Sequence, residues 1–176
     1  MFTMEEIKIA NATCRNVGAS VFNPNGEIRA IVPKYILQNV DKCKSILDFG
    51  SGKQAIYTHW LRKEGFNVTA YDFGNNIIEG LHDKDALDKQ YKVIMCSNVL
   101  NVQSSLGMLM ETLNQLYNSL EKGGVLVCNY PASPRKISLA ARDMLTIIQS
   151  VFNGNIERVG GSSSAPLWIV SKSYSN

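Results

Sequence analysis

The feature that most constrains this chain is an apolar run that ends in an acid and a glycine-rich turn. Residues 45–52 read Ser-Ile-Leu-Asp-Phe-Gly-Ser-Gly, and a second apolar run, 66–71, ends at Asp72. Short apolar runs bounded by turn residues are typical of strands buried in a parallel sheet. Gly50 and Gly52 allow a sharp turn and a close approach to a ligand, because neither carries a Cβ atom. The pattern predicts two strands whose ends frame a binding site.

Two acids at the ends of these runs indicate which ligand the site would take. Asp72 is placed to accept hydrogen bonds from ribose hydroxyls, as the acid after the second strand does in dinucleotide sites. Asp48 precedes the glycines, where a carboxylate would repel the phosphates of a pyrophosphate. A ligand that carries sulfonium and ammonium groups would instead be attracted by that carboxylate.

On these residues the chain resembles the class I S-adenosylmethionine-dependent methyltransferases. The first motif of that family, acid-x-Gly-x-Gly-x-Gly, matches Asp48, Gly50 and Gly52, whereas Gln54 replaces the third glycine. The resemblance covers about residues 43–172. It implies a three-layer, Rossmann-like α/β fold whose sheet is mostly parallel with an antiparallel terminal strand. It also implies S-adenosyl-L-methionine as the cofactor and the second acid as its ribose ligand.

Composition places the chain among ordinary globular domains. Its 176 residues suit one domain, with 45% apolar and 19% charged residues. No apolar run approaches the ~18 residues of a membrane span, and no signal peptide is visible. The four cysteines have no paired spacing, which predicts a cytoplasmic protein without disulfides or a cysteine metal site. The net charge of +3 is too small to establish a nucleic-acid partner.

Beyond residue 43, strand-like and helix-like segments alternate, which indicates a sheet covered by helices on both faces. The predicted strands are 44–49, 66–71, a weakly marked one within 81–87, 91–97, 125–129, 155–159 and 167–171. The predicted helices are 53–63, 75–81, 104–121, ended by Gly123-Gly124, and 138–152.

The first 40 residues differ in character from the predicted methyltransferase domain, 41–176. They contain the Val17-Gly18-Ala19-Ser20 run, a turn at Asn23-Pro24-Asn25-Gly26 and a helix from about Pro33 to Val40. One interpretation is a lid over the cofactor mouth. The other is a flexible arm or an edge hairpin.

Ligands of open α/β sheets bind beyond the carboxyl ends of the strands, so the functional polar groups are expected at the predicted strand ends. The predicted cofactor-binding residues are Asp48, Phe49, Gly50, Ser51, Gly52, Asp72, Phe73, Asp85, Ala86 and Asn98. By resemblance, Asp85 and Ala86 would lie at the adenine, although a solvated turn is the alternative. Asn98 would face the methyl donor and orient an amine or hydroxyl of the substrate, as would Asn101. Both could instead satisfy the loop backbone.

A second candidate substrate contact is Tyr130, within the run Asn-Tyr-Pro-Ala-Ser-Pro-Arg-Lys at 129–136. This order differs from the Asp/Asn-Pro-Pro-Tyr/Phe motif of amino-methylating DNA enzymes. The aromatic ring and two prolines would form either a rigid wall for a flat substrate or only a rigid turn. A basic rim suited to phosphates would arise if five cations converge: Arg15, Arg29, Lys34, Arg135 and Lys136.

These observations predict an S-adenosylmethionine-dependent methyltransferase in which Asn98 and Tyr130 contact the acceptor. No obvious general base stands out, which favours a nitrogen acceptor. With two histidines and no Cys or His/Glu cluster, a catalytic metal is not expected. The amino nitrogen of a nucleic-acid base is the preferred acceptor, with a partner subunit for recognition. The alternatives are a small-molecule methyltransferase and a non-catalytic S-adenosylmethionine-binding partner subunit.

Overall fold

A computed structural model describes residues 2–13 and 21–173, and its framework is one sheet with helices on both faces. In these ranges the helices are α1 (Met4–Thr13), α2 (Ile31–Asn39), α3 (Ile56–Lys63), α4 (Leu106–Ser119) and α5 (Ala141–Phe152). The strands are β1 (Ser45–Phe49), β2 (Asn67–Tyr71), β3 (Tyr91–Cys96), β4 (Leu120–Asn129), β5 (Ile156–Gly161) and β6 (Pro166–Ser171). None of these helices has the length and apolar character needed to cross a membrane.

The strands lie in the order β2-β1-β3-β4-β6-β5. Strands β2, β1, β3 and β4 are parallel to their neighbours, whereas β6 is antiparallel to both β4 and β5. The predicted sheet, mostly parallel with an antiparallel terminal pair, is therefore confirmed. The chain reverses its direction across the sheet between β1 and β3, so the crevice at their carboxyl ends is the expected ligand position.

Alternation along the strands supplies the apolar faces of all three layers. In β1, Ile46 belongs to the cluster that packs against α2 and α3, and Leu47 belongs to the cluster that packs against α4 and α5. Side chains of adjacent strand residues point to opposite faces. Burial of both faces explains why the central strands are continuous apolar runs rather than alternating ones.

Two predicted elements after β2 are wrong. Residues 75–81 form no α-helix but a short 3₁₀ turn, Gly74–Asn76, followed by further turns. Residues 81–87 form no strand. They are joined to the sheet by a hydrogen bond from the Asp83 backbone N–H to the Ala70 carbonyl (2.9 Å) and by one from the Tyr91 hydroxyl to the Ala86 carbonyl (3.1 Å). A segment with two aspartates and a lysine cannot fill a strand buried on both faces without leaving charges unpaired.

The junction of α4 and β4 also differs from the prediction. Helix α4 begins close to the predicted position 104, because the side chain of Ser105 caps it by accepting a hydrogen bond from the Met108 backbone N–H (3.1 Å). It ends at Ser119 rather than at the glycine pair, and β4 begins at once. Gly124 lies inside that strand, where a Cβ atom would stand 2.9 Å from the Lys92 carbonyl oxygen. This glycine therefore permits a close approach of two strands and does not end the helix.

The first 40 residues do not behave as one unit. Helix α2 packs its buried Val32 and Ile36 on the sheet and so belongs to the three-layer core. The predicted turn at 23–26 is present, with a hydrogen bond from the Gly26 N–H to the Asn23 carbonyl (3.0 Å). Helix α1 lies at the carboxyl edge of the sheet. Cys14, Arg15 and the Val17–Ser20 run lie outside the described residues.

Candidate active site

A cavity of about 750 Å³ opens at the carboxyl ends of β1 and β3. Its wall consists of residues 50–57, the residues after β2 and β3, and the end of α1. The volume lies within the roughly 300–1,000 Å³ of small-molecule and cofactor sites. The position agrees with the crevice expected from the strand order.

The glycine turn forms the floor of this cavity. Gly50 has φ of +75°, and a Cβ atom there would stand 2.5 Å from Cγ2 of Val99. Gly52 has φ of +76°, but a Cβ atom there would meet no atom within 4 Å. The first glycine is therefore needed for packing against the loop after β3. The second leaves open space where the backbone faces the cavity.

Asp72 joins the end of β2 to this turn. Its Oδ2 accepts a hydrogen bond from the Gly52 backbone N–H (2.7 Å). Its Oδ1 accepts from the Phe73 backbone N–H (2.8 Å) and from Nδ2 of Asn76 (3.1 Å). The carboxylate is 4% exposed and lines the cavity. Because a carboxylate oxygen can accept about two hydrogen bonds, Oδ2 retains capacity for one ligand hydroxyl.

His82 holds the same turn from the other side. Its Nδ1 accepts a hydrogen bond from the Ile78 backbone N–H (3.0 Å), so that nitrogen carries no proton. Nε2, 2.8 Å from the Gly52 carbonyl oxygen, must then be the donor. The histidine is buried and clamps the turn rather than serving as a base at the cavity.

Asp48 is buried behind the glycine turn and is not one of the cavity-lining residues. Its Oδ2 accepts a hydrogen bond from Oγ1 of Thr58 in α3 (2.7 Å). Burial raises the pKa of Asp48 to about 7, opposed by the Thr58 hydrogen bond and reinforced by the negative charge of Asp72. Its carboxyl would therefore act on a cation in the cavity through the glycine turn.

The other predicted cofactor residues divide into two groups. Ser51 and Phe73 line the cavity. Phe49 is fully buried and packs on Tyr71, with ring centroids 5.4 Å apart. Asp85 is exposed beside Lys84, and Ala86 is buried in the core on the α4 side of the sheet. Because the predicted third strand does not exist, the structure brings neither Asp85 nor Ala86 to the cavity.

Asn98 lies at the cavity, in the left-handed backbone conformation with φ of +57°. Its backbone N–H donates to Oδ1 of Asn129 (2.8 Å), and its Oδ1 accepts from Nδ2 of Asn129 (2.8 Å). Asn101 lies elsewhere: it is buried, and its Nδ2 donates to the Pro134 carbonyl (2.9 Å). Asn101 therefore anchors the loop after β4, as the backbone alternative predicted, and only Asn98 remains a candidate for substrate contact.

Tyr130 is fully buried and does not line the cavity. Its hydroxyl donates to the Leu139 carbonyl (2.9 Å), and the Arg135 guanidinium lies 3.9 Å from its ring centroid. Arg135 also donates to the carbonyl oxygens of Pro131 (2.9 Å) and Ser164 (2.7 Å). The run at 129–136 is thus a rigid turn held by arginine. The predicted wall for a flat substrate is not formed by this tyrosine.

The predicted basic rim does not assemble at the cavity. The Arg135 side chain donates its hydrogen bonds to backbone carbonyl oxygens, and Nε of Arg29 donates to the Phe22 carbonyl oxygen (3.0 Å). Lys34 and Lys136 are not among the lining residues, and Arg15 lies outside the described ones. The lining residues instead include Lys53 of the glycine turn.

Several lining residues escaped sequence reasoning, above all Tyr57, Asn76 and Asn11. Nδ2 of Asn76 donates to Oδ1 of Asn11 (2.9 Å) as well as to Asp72, so α1 is linked to the second acid through Asn76. Tyr57 could have been predicted as a lining residue from its position shortly after the glycine turn. No local signal identifies Asn11, because its partner is 65 positions away. In the described part of the chain, no three His, Cys, Asp or Glu side chains group as a metal site.

The fold and the cavity define the class: a three-layer α/β protein with a glycine turn and a ribose-type acid at the switch point, as in class I methyltransferases. Comparison with known families agrees, because the family described as "Methyltransferase domain" matches residues 22–157. The chain therefore belongs to this methyltransferase family. No curated protein matches the chain.

Solved structures show the same fold at low sequence identity. A TehB-like SAM-dependent methyltransferase from Corynebacterium glutamicum has a TM-score of 0.66 and 17% identity, over 96% of this chain and 98% of that one. A SAM-dependent methyltransferase from Bacteroides fragilis, in complex with S-adenosyl-L-homocysteine, has a TM-score of 0.60 and 13% identity, over 81% and 77%. Human N-acetylserotonin methyltransferase in complex with SAM has a TM-score of 0.54 and 13% identity, over 81% and 52%.

Proposed function

We propose that this chain is an S-adenosylmethionine-dependent methyltransferase that acts on a small-molecule acceptor. The observation that carries the proposal is the hydrogen bond from the Gly52 N–H to Asp72 at one cavity (2.7 Å). It unites the two halves of the nucleoside-binding motif, which are separate in the sequence. The family and the cofactors held by the structural neighbours support S-adenosyl-L-methionine as the ligand.

The residues present fit this cofactor. Asp72 retains capacity for a ribose hydroxyl, and the open space at Gly52 admits a ligand close to the backbone. When it is ionised, the buried Asp48 carboxyl favours a cationic ligand over a phosphate. When bound, the cofactor supplies an electrophilic methyl group, so the chain has to bind, orient and exclude water.

The lining side chains position rather than deprotonate the acceptor. The titratable ones among the described residues are Lys53, Tyr57 and Asp72. Both oxygens of Asp72 already accept hydrogen bonds from the chain. Burial and the charge of Asp48 raise the pKa of Tyr57, so its hydroxyl keeps its proton at neutral pH. The acceptor therefore brings a lone pair that needs no base on this wall.

A lid was one of the two interpretations of the N-terminal segment, and we assign this role to helix α1. Ala10 and Asn11 line the cavity, and Ile7 lies so close to Gly74 that a Cβ atom there would stand 2.8 Å from its Cδ1. An edge-to-face contact between the Phe2 and Phe73 rings, with centroids 5.3 Å apart, holds the start of α1. Such a cover would exclude water from a small acceptor.

The nucleic-acid acceptor preferred from the sequence loses the support of two features, because neither Tyr130 nor any of the described cations of the predicted rim lines the cavity. A base-amino acceptor, a partner subunit and a cytoplasmic location stay predictions. A polynucleotide substrate would bind with an affinity that falls steeply as salt rises, owing to counterion release. A small acceptor would show little of this dependence.

Calorimetric titration with S-adenosyl-L-homocysteine tests the cofactor assignment. Asp72→Asn should weaken binding about tenfold or more, since a hydrogen bond to a charged group contributes about 1.5–3 kcal/mol. Asp85→Asn is the matched control and should leave the affinity unchanged. Equal effects of the two variants would refute the cavity as the cofactor site.

Transfer of a labelled methyl group to a small-molecule extract, compared with DNA and RNA, then tests the acceptor class. Label that enters only the polymer fractions contradicts the small-molecule proposal. Binding without label in any fraction would favour the non-catalytic alternative.

A further inference from the structure

The amide of Asn98 has one orientation that the hydrogen-bond pattern dictates. The backbone N–H of Asn98 can only donate, so the Asn129 atom that faces it (2.8 Å) must be the oxygen. The other end of the Asn129 amide is then the NH₂ group. That group faces the Asn98 side chain (2.8 Å), whose nearer atom must therefore be the oxygen.

This chain of assignments leaves Nδ2 of Asn98 as the outer end of the side chain. Within the described residues Nδ2 has no hydrogen-bond partner, and Asn98 is exposed and lines the cavity. An amide NH₂ group donates hydrogen bonds and does not accept them. Asn98 thus offers the cavity a hydrogen-bond donor.

Two other side chains at the cavity offer the same chemistry. Lys53 carries an ammonium group, which only donates hydrogen bonds. Tyr57 keeps its hydroxyl proton, because burial raises its pKa. Oδ1 of Asp72 and the amide oxygens of the Asn76–Asn11 pair by contrast accept hydrogen bonds from the chain, and Oδ2 of Asp72 keeps room for one ribose hydroxyl. The donors of Asn98 and Lys53 suit a ligand that brings oxygen lone pairs.

We propose that the methyl acceptor is a small molecule with a carboxylate, which accepts a hydrogen bond from Nδ2 of Asn98. Asn129 is the positioning residue, because its amide holds Asn98 in the donating orientation. The inference rests on the proposed function, since it concerns the acceptor part of the same cavity. A carboxylate is the group that gains most from this wall, because hydrogen bonds to ionised acceptors are about twice as strong as neutral ones.

Two matched probes of similar shape and opposite hydrogen-bonding character test this inference: benzoate and benzylamine. Each is titrated at millimolar concentration into the full chain saturated with S-adenosyl-L-homocysteine, so that cofactor contacts are already made. The readout is the side-chain amide signal of Asn98 in ¹H–¹⁵N spectra, assigned by its loss in Asn98→Ala. Dissociation constants come from the same titrations.

We expect benzoate to move the Asn98 amide signal and to bind about tenfold or more tightly than benzylamine. Asn98→Ala should remove most of that preference. Asn129→Asp still accepts the Asn98 backbone N–H, but its second oxygen can only accept, which turns the Asn98 amide over. This variant should shift the preference towards benzylamine, an effect that general loosening of the loop would not produce.

Other results overturn the inference. The inference is wrong if benzoate causes no shift of the Asn98 amide signal, if benzylamine binds the unaltered chain more tightly than benzoate does, or if the preference for benzoate survives in Asn98→Ala. A shift of the Asn98 signal on addition of S-adenosyl-L-homocysteine alone, with none from benzoate, assigns Asn98 to the cofactor. Failure of S-adenosyl-L-homocysteine to bind would refute the proposed function itself, and calorimetry detects that before any probe is added.

Discussion

Replacing Asp48 by Asn should change how the stability of this protein depends on pH. The carboxyl is 1% exposed and has Thr58 as a hydrogen-bond donor, and burial raises its pKa from 3.8 to about 7. Between these two pKa values the folded chain holds a proton that the unfolded chain has released. Folding stability therefore falls as pH rises through this window, because the unfolded state binds fewer protons.

The size of the effect follows from the two pKa values. A difference of about three pH units at 1.36 kcal/mol per unit amounts to about 4 kcal/mol. Asn keeps the shape and can still accept the Thr58 hydrogen bond, but it does not ionise. Relative to the unaltered chain, Asp48→Asn should gain about 4 kcal/mol in the free energy of unfolding between pH 4 and pH 7.

Denaturant unfolding followed by tryptophan fluorescence at a series of pH values measures this difference. Asp41→Asn is the control of opposite sign, because a hydrogen bond from the Cys43 backbone N–H lowers the pKa of that exposed carboxyl. It should lose stability relative to the unaltered chain as pH rises through the ordinary aspartate range. A difference between Asp48→Asn and the unaltered chain that does not change with pH would refute the account of a buried, protonated Asp48.

Three further predictions concern the cofactor, the loop after β4 and the glycine turn. In the unaltered chain, the affinity for S-adenosylmethionine relative to that for S-adenosylhomocysteine should rise as pH passes about 7, because the ionised Asp48 carboxyl attracts the sulfonium. In Asp48→Asn this ratio should not change with pH. Calorimetric titration with both ligands at a series of pH values measures the ratio. Arg135→Ala should lower the free energy of unfolding, measured with denaturant, by at least about 2 kcal/mol, and Lys136→Ala should lower it by less than about 0.5 kcal/mol. The reason is that the side chain of Arg135, unlike that of Lys136, donates hydrogen bonds to carbonyl oxygens of the loop. Equal losses in the two variants would contradict this. Gly50→Ala should lower stability by about 2–4 kcal/mol through the clash with Val99 and the backbone strain. Gly52→Ala, with the same φ but no clash, should lose chiefly S-adenosylhomocysteine affinity, and identical behaviour of the two variants would be inconsistent with the cavity.

Local pattern was sufficient for the elements that are buried on both faces. Strands β1 and β3 and the second half of β4, residues 125–129, are largely apolar runs of the length typical of buried strands. The first half of β4 was instead misread as the end of α4. The turn at Gly50 and Gly52 was also readable, since both adopt positive φ. The segment between β2 and β3 was misread because its few apolar residues fit a weak helix or strand equally well. Contacts across the fold decided its actual turns.

The candidate site divides in the same way. Ser51, Gly52 and Asp72 were identified from the sequence, because each follows the end of an apolar run. They lie together because β1 and β2 pair in parallel, which brings the two strand ends side by side. Asn98 was identified as a candidate, but its orientation was not, because that depends on Asn129 in the adjacent strand. Register between β3 and β4 decides which asparagines meet.

By itself, the sequence determined the class of this protein: a parallel sheet with a glycine turn, two acids at strand ends and a methyltransferase motif. Periodicity and local turn chemistry indicate the strands and the glycine turn, since these involve residues close in the chain, and the resemblance of the motif to the family indicates the methyltransferase class. The tertiary structure alone decided that Asp48 stands behind the wall, that Arg135 holds a loop instead of phosphates, and that the end of α1 lines the cavity. Burial, charge pairing and amide orientation depend on partners that are distant in the chain, and the fold selects those partners.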